Sequence, residues 1–166
     1  MDNIKKQYVT WKEMNNHVNN VIRQMVSDMW IPDIVVGLGR GGLIPATMIS
    51  HYLKRPMVSL DVALRDQGVI GPETNCWLPE MAAEGKRILI VDDINDSGAT
   101  INWIVDDWNS SYQITALWGS DVKFATIFDN LSSKANIKVS YSSIEINKAE
   151  DDTWYIFPWE NFWMHS

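Results

Sequence analysis

Apolar and polar residues follow one another along this chain in patterns typical of helices and strands. Thr10 and Glu13 have the spacing of a capping box, and apolar residues at helical intervals after them predict a helix that ends near residue 29. Short, continuously apolar runs predict buried strands, and segments of helical character lie between them. The predicted strands are 33–38, 56–62, 87–91, 123–128 and 137–141, and the further helices are 43–53 and one that begins at residue 97.

This alternation of strands and helices predicts an α/β fold, in which helices flank a central parallel sheet. Residues 63–86 interrupt the order, because they are mostly polar, contain several Gly and Pro and lack clear periodicity. We expect a flexible loop there, since a loop this long in a compact domain is commonly a functional lid. The length of 166 residues fits one domain, 1–166, with its core at about 31–130.

Composition and charge exclude several classes of protein. No window of 18 uninterrupted apolar residues is present, and residues 1–6 lack the apolar region of a signal peptide. The single cysteine, Cys76, cannot form an internal disulfide or a cysteine-based zinc site. A net charge of −7 argues against nucleic-acid binding, which needs clustered Lys and Arg. We therefore expect a cytoplasmic protein with no membrane span and no nucleic-acid partner.

Tryptophan is unusually frequent, with nine in 166 residues. We expect most of these side chains in the core or in a subunit interface, because indole buries a large area while its N–H still needs a partner. An aromatic-rich surface favours a homo-oligomer, either a dimer or a tetramer.

The segment 91–100 carries the strongest chemical signal. Asp92 and Asp93 follow a predicted buried strand, at the end where α/β proteins bind their ligands. After Asp96 come small and hydroxyl-bearing residues at a predicted helix N-terminus, where free N–H groups and the helix dipole can hold a phosphate. These residues are Ser97, Gly98, Ala99 and Thr100. The structural alternative is that the aspartates only cap the helix, but three aspartates in five residues exceed that need.

A glycine turn at 37–42 follows one predicted strand and precedes a helix. It satisfies the GxGxxG pattern of dinucleotide-binding proteins, with Asp61 about twenty residues further on. A dinucleotide-dependent oxidoreductase is therefore one hypothesis. The chain is short for such an enzyme with a second substrate domain, and the acidic segment would then have no function.

Residues 88–100 resemble the signature of the type I phosphoribosyltransferases: four apolar residues, two acidic, two variable, then Asp-Ser/Thr-Gly-x-Thr. The resemblance implies that Asp92 and Asp93 bind the ribose hydroxyls of 5-phosphoribosyl 1-diphosphate, with Asp93 also near Mg²⁺. It implies that residues 97–100 hold the 5-phosphate and that Asp96 lies beside the incoming base as a catalytic group.

By the same resemblance, the glycine turn binds the leaving diphosphate through Arg40 and the amides of Gly41 and Gly42. Arginine suits a bidentate contact with phosphate oxygens, and Arg40 is expected to be catalytic in this sense. The resemblance also implies a cis peptide near Gly39-Arg40 and a small hood built from 1–30 and 131–166. Arg65, in the predicted loop, is a further candidate for contact with the diphosphate.

The resemblance extends to the bacterial xanthine-guanine enzymes through 8–11, 40–45, 152–154 and 158–159. It implies that Trp154 stacks on a purine and that the backbone carbonyl of Tyr155 accepts from a 2-amino group. Those enzymes carry a lysine that donates to the 6-oxo group, whereas this chain has Asp129 and Asn130 at the matching positions. Asn130 could read a 6-oxo or a 6-amino group, and Lys134 is an alternative donor.

These features predict a purine phosphoribosyltransferase that uses Mg²⁺, 5-phosphoribosyl 1-diphosphate and guanine, xanthine or hypoxanthine. The main alternative is a non-catalytic regulator that binds the same sugar diphosphate as a signal. Diphosphate release, ligand binding without turnover, and nicotinamide cofactor binding distinguish the enzyme, the regulator and the oxidoreductase.

Overall fold

The computed structural model describes residues 3–62 and 77–164. Its helices and strands follow the alternation expected from the hydrophobic pattern. In chain order they are β1 Lys6–Tyr8, α1 Trp11–Ser27, β2 Ile34–Leu38, α2 Leu43–Leu53, β3 Met57–Leu60, α3 Trp77–Ala83, β4 Ile88–Asn95, α4 Ala99–Ser111, β5 Val122–Asn130, β6 Tyr141–Ile146 and β7 Trp154–Ile156. Helix α1 has the predicted capping box, in which the Thr10 side chain accepts from the Glu13 amide and Glu13 accepts from the Thr10 amide.

Five parallel strands form the central sheet, in the order β3-β2-β4-β5-β6. The predicted α/β class with a central parallel sheet is therefore confirmed. Strand β4 lies in the middle, so its carboxyl end is flanked by the ends of β2 and β5. Because all the strands point the same way, their carboxyl ends and the turns that follow them meet at one edge, where α/β folds bind ligands.

Successive residues of the central strands face opposite sides of the sheet, and both sides are covered. Val35 and Leu89 pack in a core that includes buried residues of α1 and α2. Val36 and Ile90 pack in a second core with buried residues of α3 and α4. Burial on both faces is the reason that these strands are continuously apolar rather than alternating.

The terminal segments form a small separate sheet, in which β1 pairs in parallel with β7. Lys6 is opposite Trp154, and the Trp154 amide donates to the Lys5 carbonyl at 2.8 Å. This pairing fixes the backbone of Trp154, whose indole stays 53% exposed.

Three local predictions were wrong. Residues 77–83 form a short helix instead of loop, because Leu78 and Ala82 lie four residues apart and both are buried in the second core. The last strand of the central sheet begins at Tyr141 rather than at 137, since Val139 packs in the core while pairing with β5 starts at Tyr141. Strand β4 continues past residue 91 to Asn95, so the acidic pair belongs to the strand itself. Within the described residues, no helix is long and apolar enough to cross a membrane.

Candidate active site

The carboxyl end of β4 separates two cavities. The larger, of about 840 Å³, is lined by Arg40, Gly41, Asp93, Trp154, Trp159 and Glu160 among others. The smaller, of about 230 Å³, is lined by Asp92, by residues 94–101, and by Leu38, Phe124 and Thr126. Consecutive side chains of a strand point to opposite sides, which is why Asp92 and Asp93 reach different cavities. One strand end therefore supplies a carboxylate to each.

A loop and a helix N-terminus, residues 97–100, form one wall of the smaller cavity. Gly98 lies before the first residue of α4 with φ of +89°, a conformation that favours glycine, and an added Cβ would collide with the backbone nitrogen of Ala135. The first amides of a helix have no partner within the helix, and they carry the positive end of its dipole. Residues 97–100 thus bring backbone donors and two hydroxyls to one cavity wall, although the Ala99 amide already donates to the Ser97 hydroxyl oxygen at 3.2 Å.

A neighbouring segment, 129–136, holds residues 97–100, here called the anion loop, in place. The Lys134 amide donates to the Ser97 carbonyl at 2.9 Å, and the Asn102 side chain donates to the Lys134 carbonyl at 2.9 Å. The Asn95 side chain donates to Asp129 at 2.9 Å and to the Ser133 hydroxyl at 3.0 Å. The loop is therefore pre-organised by several bonds from a single segment.

Thr126 is an additional residue of the smaller cavity. It is opposite Asp92 in the register of β4 and β5 and is only 2% exposed. Its hydroxyl oxygen has no hydrogen-bond partner in the part of the chain that the structure describes. A buried hydroxyl without a partner is unfavourable, so its presence in a cavity wall is consistent with a ligand-binding role. The strand pattern classed Thr126 as an ordinary sheet residue and gave no signal of this.

The two β4 carboxylates are close together and partly buried. The Asp93 amide donates to Asp92 at 2.8 Å, and the Ile94 amide donates to Asp93 at 2.7 Å. Burial raises the pKa of Asp92 well above its ordinary value, and the charge of Asp93 raises it further. Burial also raises the pKa of Asp93, and the negative charge of Glu160 raises it further. A positive charge nearby would favour the ionised form of both carboxylates.

A divalent cation fits this donor set only in part. Among the described residues, no group of three or more His, Cys, Asp or Glu side chains is arranged to hold a metal. Mg²⁺ is commonly held by one or two carboxylates, with the remaining ligands from water and substrate phosphates. Asp93 in the larger cavity can serve as such a carboxylate, provided that a phosphate-bearing ligand completes the shell.

The glycine turn brings Arg40 to the larger cavity and packs closely on β4. An added Cβ at Gly41 would collide with the Asp93 carboxylate, and one at Gly42 would collide with the Val91 carbonyl. The prediction of a cis peptide at Gly39-Arg40 is wrong, since the described backbone has no cis bond. The turn is instead made through Gly39, whose φ is +50°.

Asp96 also contacts Lys148, a residue that the sequence analysis did not identify as part of the site. The Lys148 ammonium is 3.1 Å from an Asp96 carboxylate oxygen and 5.5 Å from the centre of the Trp154 ring. Only 10% of the Lys148 side chain is exposed, against 48% for Asp96. Tyr155 stacks on Phe128 with ring centres 4.4 Å apart, so its ring packs inside the protein.

The other residues predicted to contact the base are placed differently. Asn130 is 6% exposed and its amide nitrogen donates to the Asp96 carbonyl at 2.8 Å. Its oxygen accepts from the amide and the hydroxyl of Ser132 and from the Lys148 amide. Asn130 thus joins the Asp96 and Lys148 segments and does not present its oxygen to a ligand. The Lys134 residue is exposed, and Arg65 lies outside the described residues.

Comparison with known proteins identifies the family of this chain. Residues 5–161 match the phosphoribosyl transferase domain family. Over 129 residues the chain is 30% identical to the xanthine-guanine phosphoribosyltransferase of Cereibacter sphaeroides, an alignment covering 76% of this chain and 68% of that protein. The crystal structure of a purine phosphoribosyltransferase from Pyrococcus horikoshii has a TM-score of 0.70 and 26% identity, over 96% of each chain.

A second bacterial relative, the xanthine-guanine phosphoribosyltransferase of Nitratidesulfovibrio vulgaris, is 22% identical over 153 residues, which cover 92% of this chain and 83% of that protein. The family match includes both the glycine turn and the acidic segment, so the dinucleotide-dependent oxidoreductase hypothesis has no support. This chain belongs to the phosphoribosyltransferase family of enzymes.

Proposed function

We propose that this protein transfers the 5-phosphoribosyl group from 5-phosphoribosyl 1-diphosphate to guanine, xanthine or hypoxanthine, with Mg²⁺, as a step of purine salvage. The observation that carries the proposal is the position of the acidic strand end between two cavities of different chemistry. One has helix-terminal amides suited to a phosphate monoester. The other has an arginine, a carboxylate and exposed indole. A sugar that carries a phosphate at one end and a diphosphate at the other matches both.

The sugar phosphate occupies the smaller cavity in this proposal. Its 5-phosphate accepts from the amides and hydroxyls of 97–100. Its ribose ring lies across the end of β4, where one ring hydroxyl donates to Asp92 in the smaller cavity and another to Asp93 on the side of the larger cavity. The close approach of Gly98 to the Ala135 backbone fixes the loop that carries these amides. The Thr126 hydroxyl is available for a further bond to the ligand.

The diphosphate lies toward Arg40 and the Gly41 amide, with Asp93 as the protein ligand of the metal. When bound, Mg²⁺ supplies positive charge to the departing diphosphate. The Arg40 guanidinium is exposed at the cavity and can pair with phosphate oxygens in a bidentate manner. Together these groups stabilise the anion that leaves.

In the transfer, a ring nitrogen of the base forms a bond to C1 of the ribose while the C1–oxygen bond to diphosphate breaks. The electron pair of that bond leaves with the diphosphate, and the sugar passes through a state with oxocarbenium character. Negative charge from Asp92, Asp93 and Asp96 favours this cationic sugar. Asp96 accepts the proton that the base loses from its imidazole ring.

The test is diphosphate release with 5-phosphoribosyl 1-diphosphate and Mg²⁺, measured with guanine, xanthine, hypoxanthine, adenine, uracil and orotate in turn. We expect release with the purines that carry a 6-oxo group, and a loss of about a hundredfold or more in Asp96→Asn. Binding of the sugar diphosphate with no release for any base would contradict the proposal and favour the non-catalytic regulator.

A further inference from the structure

We propose that Lys148 makes this site select a 6-oxo over a 6-amino purine, although it lies in a different segment from the lysine of the xanthine-guanine enzymes. This inference rests on the proposed function. It assigns to a described residue the base discrimination for which the sequence offered only Asn130 and Lys134.

The first support is the position of the ammonium. It lies over the Trp154 ring at 5.5 Å and contacts Asp96, which is 52 residues earlier in the chain, at 3.1 Å. A purine stacked on the exposed Trp154 face would meet this ammonium, since stacked rings are also a few ångströms apart. The ligand would then exchange the cation–π contact of Lys148 for a hydrogen bond at its own edge.

The second support is the pairing of donors and acceptors. An ammonium has three donors and no acceptor, and an ionised carboxylate has acceptors only. Lys148 and Asp96 together therefore complement a base edge that bears a carbonyl beside a ring N–H. A 6-oxopurine base has this arrangement on its imidazole side when N7 carries the proton. In the nucleotide N7 has no proton, and the 6-carbonyl remains as the acceptor for Lys148. An amino group at position 6 would bring its own donors toward the ammonium, with no acceptor between them.

The third support is the way in which the two segments are held. The Asn130 oxygen accepts from the Lys148 amide at 2.9 Å, and its nitrogen donates to the Asp96 carbonyl at 2.8 Å. The side chain of Lys148 is largely buried, so packing restricts the positions that its ammonium can occupy. Asn130 is therefore a positioning residue for both Asp96 and Lys148.

The test compares binding of inosine 5-monophosphate and adenosine 5-monophosphate, which differ at position 6, by titration calorimetry. We expect the unmodified protein to prefer the inosine nucleotide. In Lys148→Gln that preference should fall by about 10- to 100-fold, because a charged hydrogen bond to the oxo group is lost and the new amide oxygen can accept from a 6-amino group. Lys148→Met, which keeps the apolar stem, should weaken inosine nucleotide binding and leave adenosine nucleotide binding unchanged.

Two matched variants complete the design. Lys138→Gln removes the same charge from an exposed lysine and should leave the preference intact. Lys134→Gln tests the other candidate donor and should also retain it. Thermal unfolding identifies which Lys148 variants fold, and either one that folds is sufficient.

An unmodified protein without preference, or Lys148 variants that retain it, would overturn the inference. Loss of preference in Lys134→Gln alone would do the same. Binding of 5-phosphoribosyl 1-diphosphate and diphosphate release are measured in parallel on the unmodified protein. A failure there rejects the proposed transferase activity, whereas normal turnover with unaltered preference in the Lys148 variants rejects only the role of Lys148.

Discussion

Replacing Thr126 with valine should make the ligand-free protein more stable and its sugar-phosphate binding weaker. The Thr126 residue is 2% exposed and its hydroxyl has no partner within the described residues. Valine has nearly the same shape, so the substitution removes the unsatisfied hydroxyl without leaving a cavity. An unsatisfied buried polar group costs about 1–3 kcal/mol, and we expect the free energy of unfolding to rise by about 1 kcal/mol. For a protein of this size that corresponds to about 2–4 °C in Tm.

The matched control is Thr153→Val, which should have the opposite effect on stability. Thr153 is equally buried, at 1% exposed, but its hydroxyl donates to an Asp151 carboxylate oxygen at 2.6 Å. Removing that bond should lower the free energy of unfolding by about 1 kcal/mol. Comparing the two variants separates the change in stability on losing a hydrogen-bonded hydroxyl from the change on losing a buried hydroxyl that has no partner.

Calorimetric unfolding of the ligand-free variants and titration with 5-phosphoribosyl 1-diphosphate are the two assays. We expect Thr126→Val to bind the sugar diphosphate about tenfold more weakly, equivalent to one lost hydrogen bond. Thr126→Ser keeps the hydroxyl and should bind nearly as the unmodified protein does. A Thr126→Val variant that is less stable, or one that binds the ligand as tightly as before, would refute the assignment of this hydroxyl to the ligand.

Three further predictions concern other parts of the molecule. Gly98→Ala should abolish phosphate binding and lower Tm by several degrees, because Gly98 has φ of +89° and a Cβ would collide with the Ala135 backbone; ribose 5-phosphate titration and thermal unfolding check both effects. Burial lowers the pKa of His17, so the unfolded chain binds the proton more tightly, and the contribution of this residue to stability should fall as pH drops below about 6.5. The Tm of the unmodified protein relative to that of His17→Gln should therefore decrease as pH is lowered from 7.5 to 5.5. The apolar side chains of Phe162 and Trp163 are 65% and 63% exposed, so we expect self-association, with light scattering showing a smaller species after both are changed to serine.

The parts of the fold that were predictable are those where local pattern and final environment agree. Strands β2 and β4 are apolar throughout because both of their faces are covered, and this pattern cannot be confused with an exposed strand. The capping box of α1 is formed by residues three apart, so the sequence alone contains it. The acidic segment and the glycine turn likewise lie within short stretches of chain.

The parts that were not predictable depend on contacts between distant segments. Lys148 meets Asp96 only because the segment after β6 crosses the carboxyl end of β4, and nothing near Lys148 in the sequence indicates that crossing. The sequence predicts that the Asn130 amide contacts a base, whereas in the structure its oxygen accepts from Ser132 and from the Lys148 amide. Helix α3 is seven residues long, too short for a periodic signal, and it is stabilised by packing rather than by propensity.

The proposed activity is tested most directly by identifying the product. The protein is incubated with 5-phosphoribosyl 1-diphosphate, Mg²⁺ and hypoxanthine, and the mixture is analysed by mass spectrometry. We expect inosine 5′-monophosphate and diphosphate in equal amounts, with the yield of both lowered about a hundredfold or more when Asp96 is changed to asparagine. Tight binding of the sugar diphosphate with no nucleotide product from hypoxanthine, guanine or xanthine would contradict the assignment of this site to phosphoribosyl transfer.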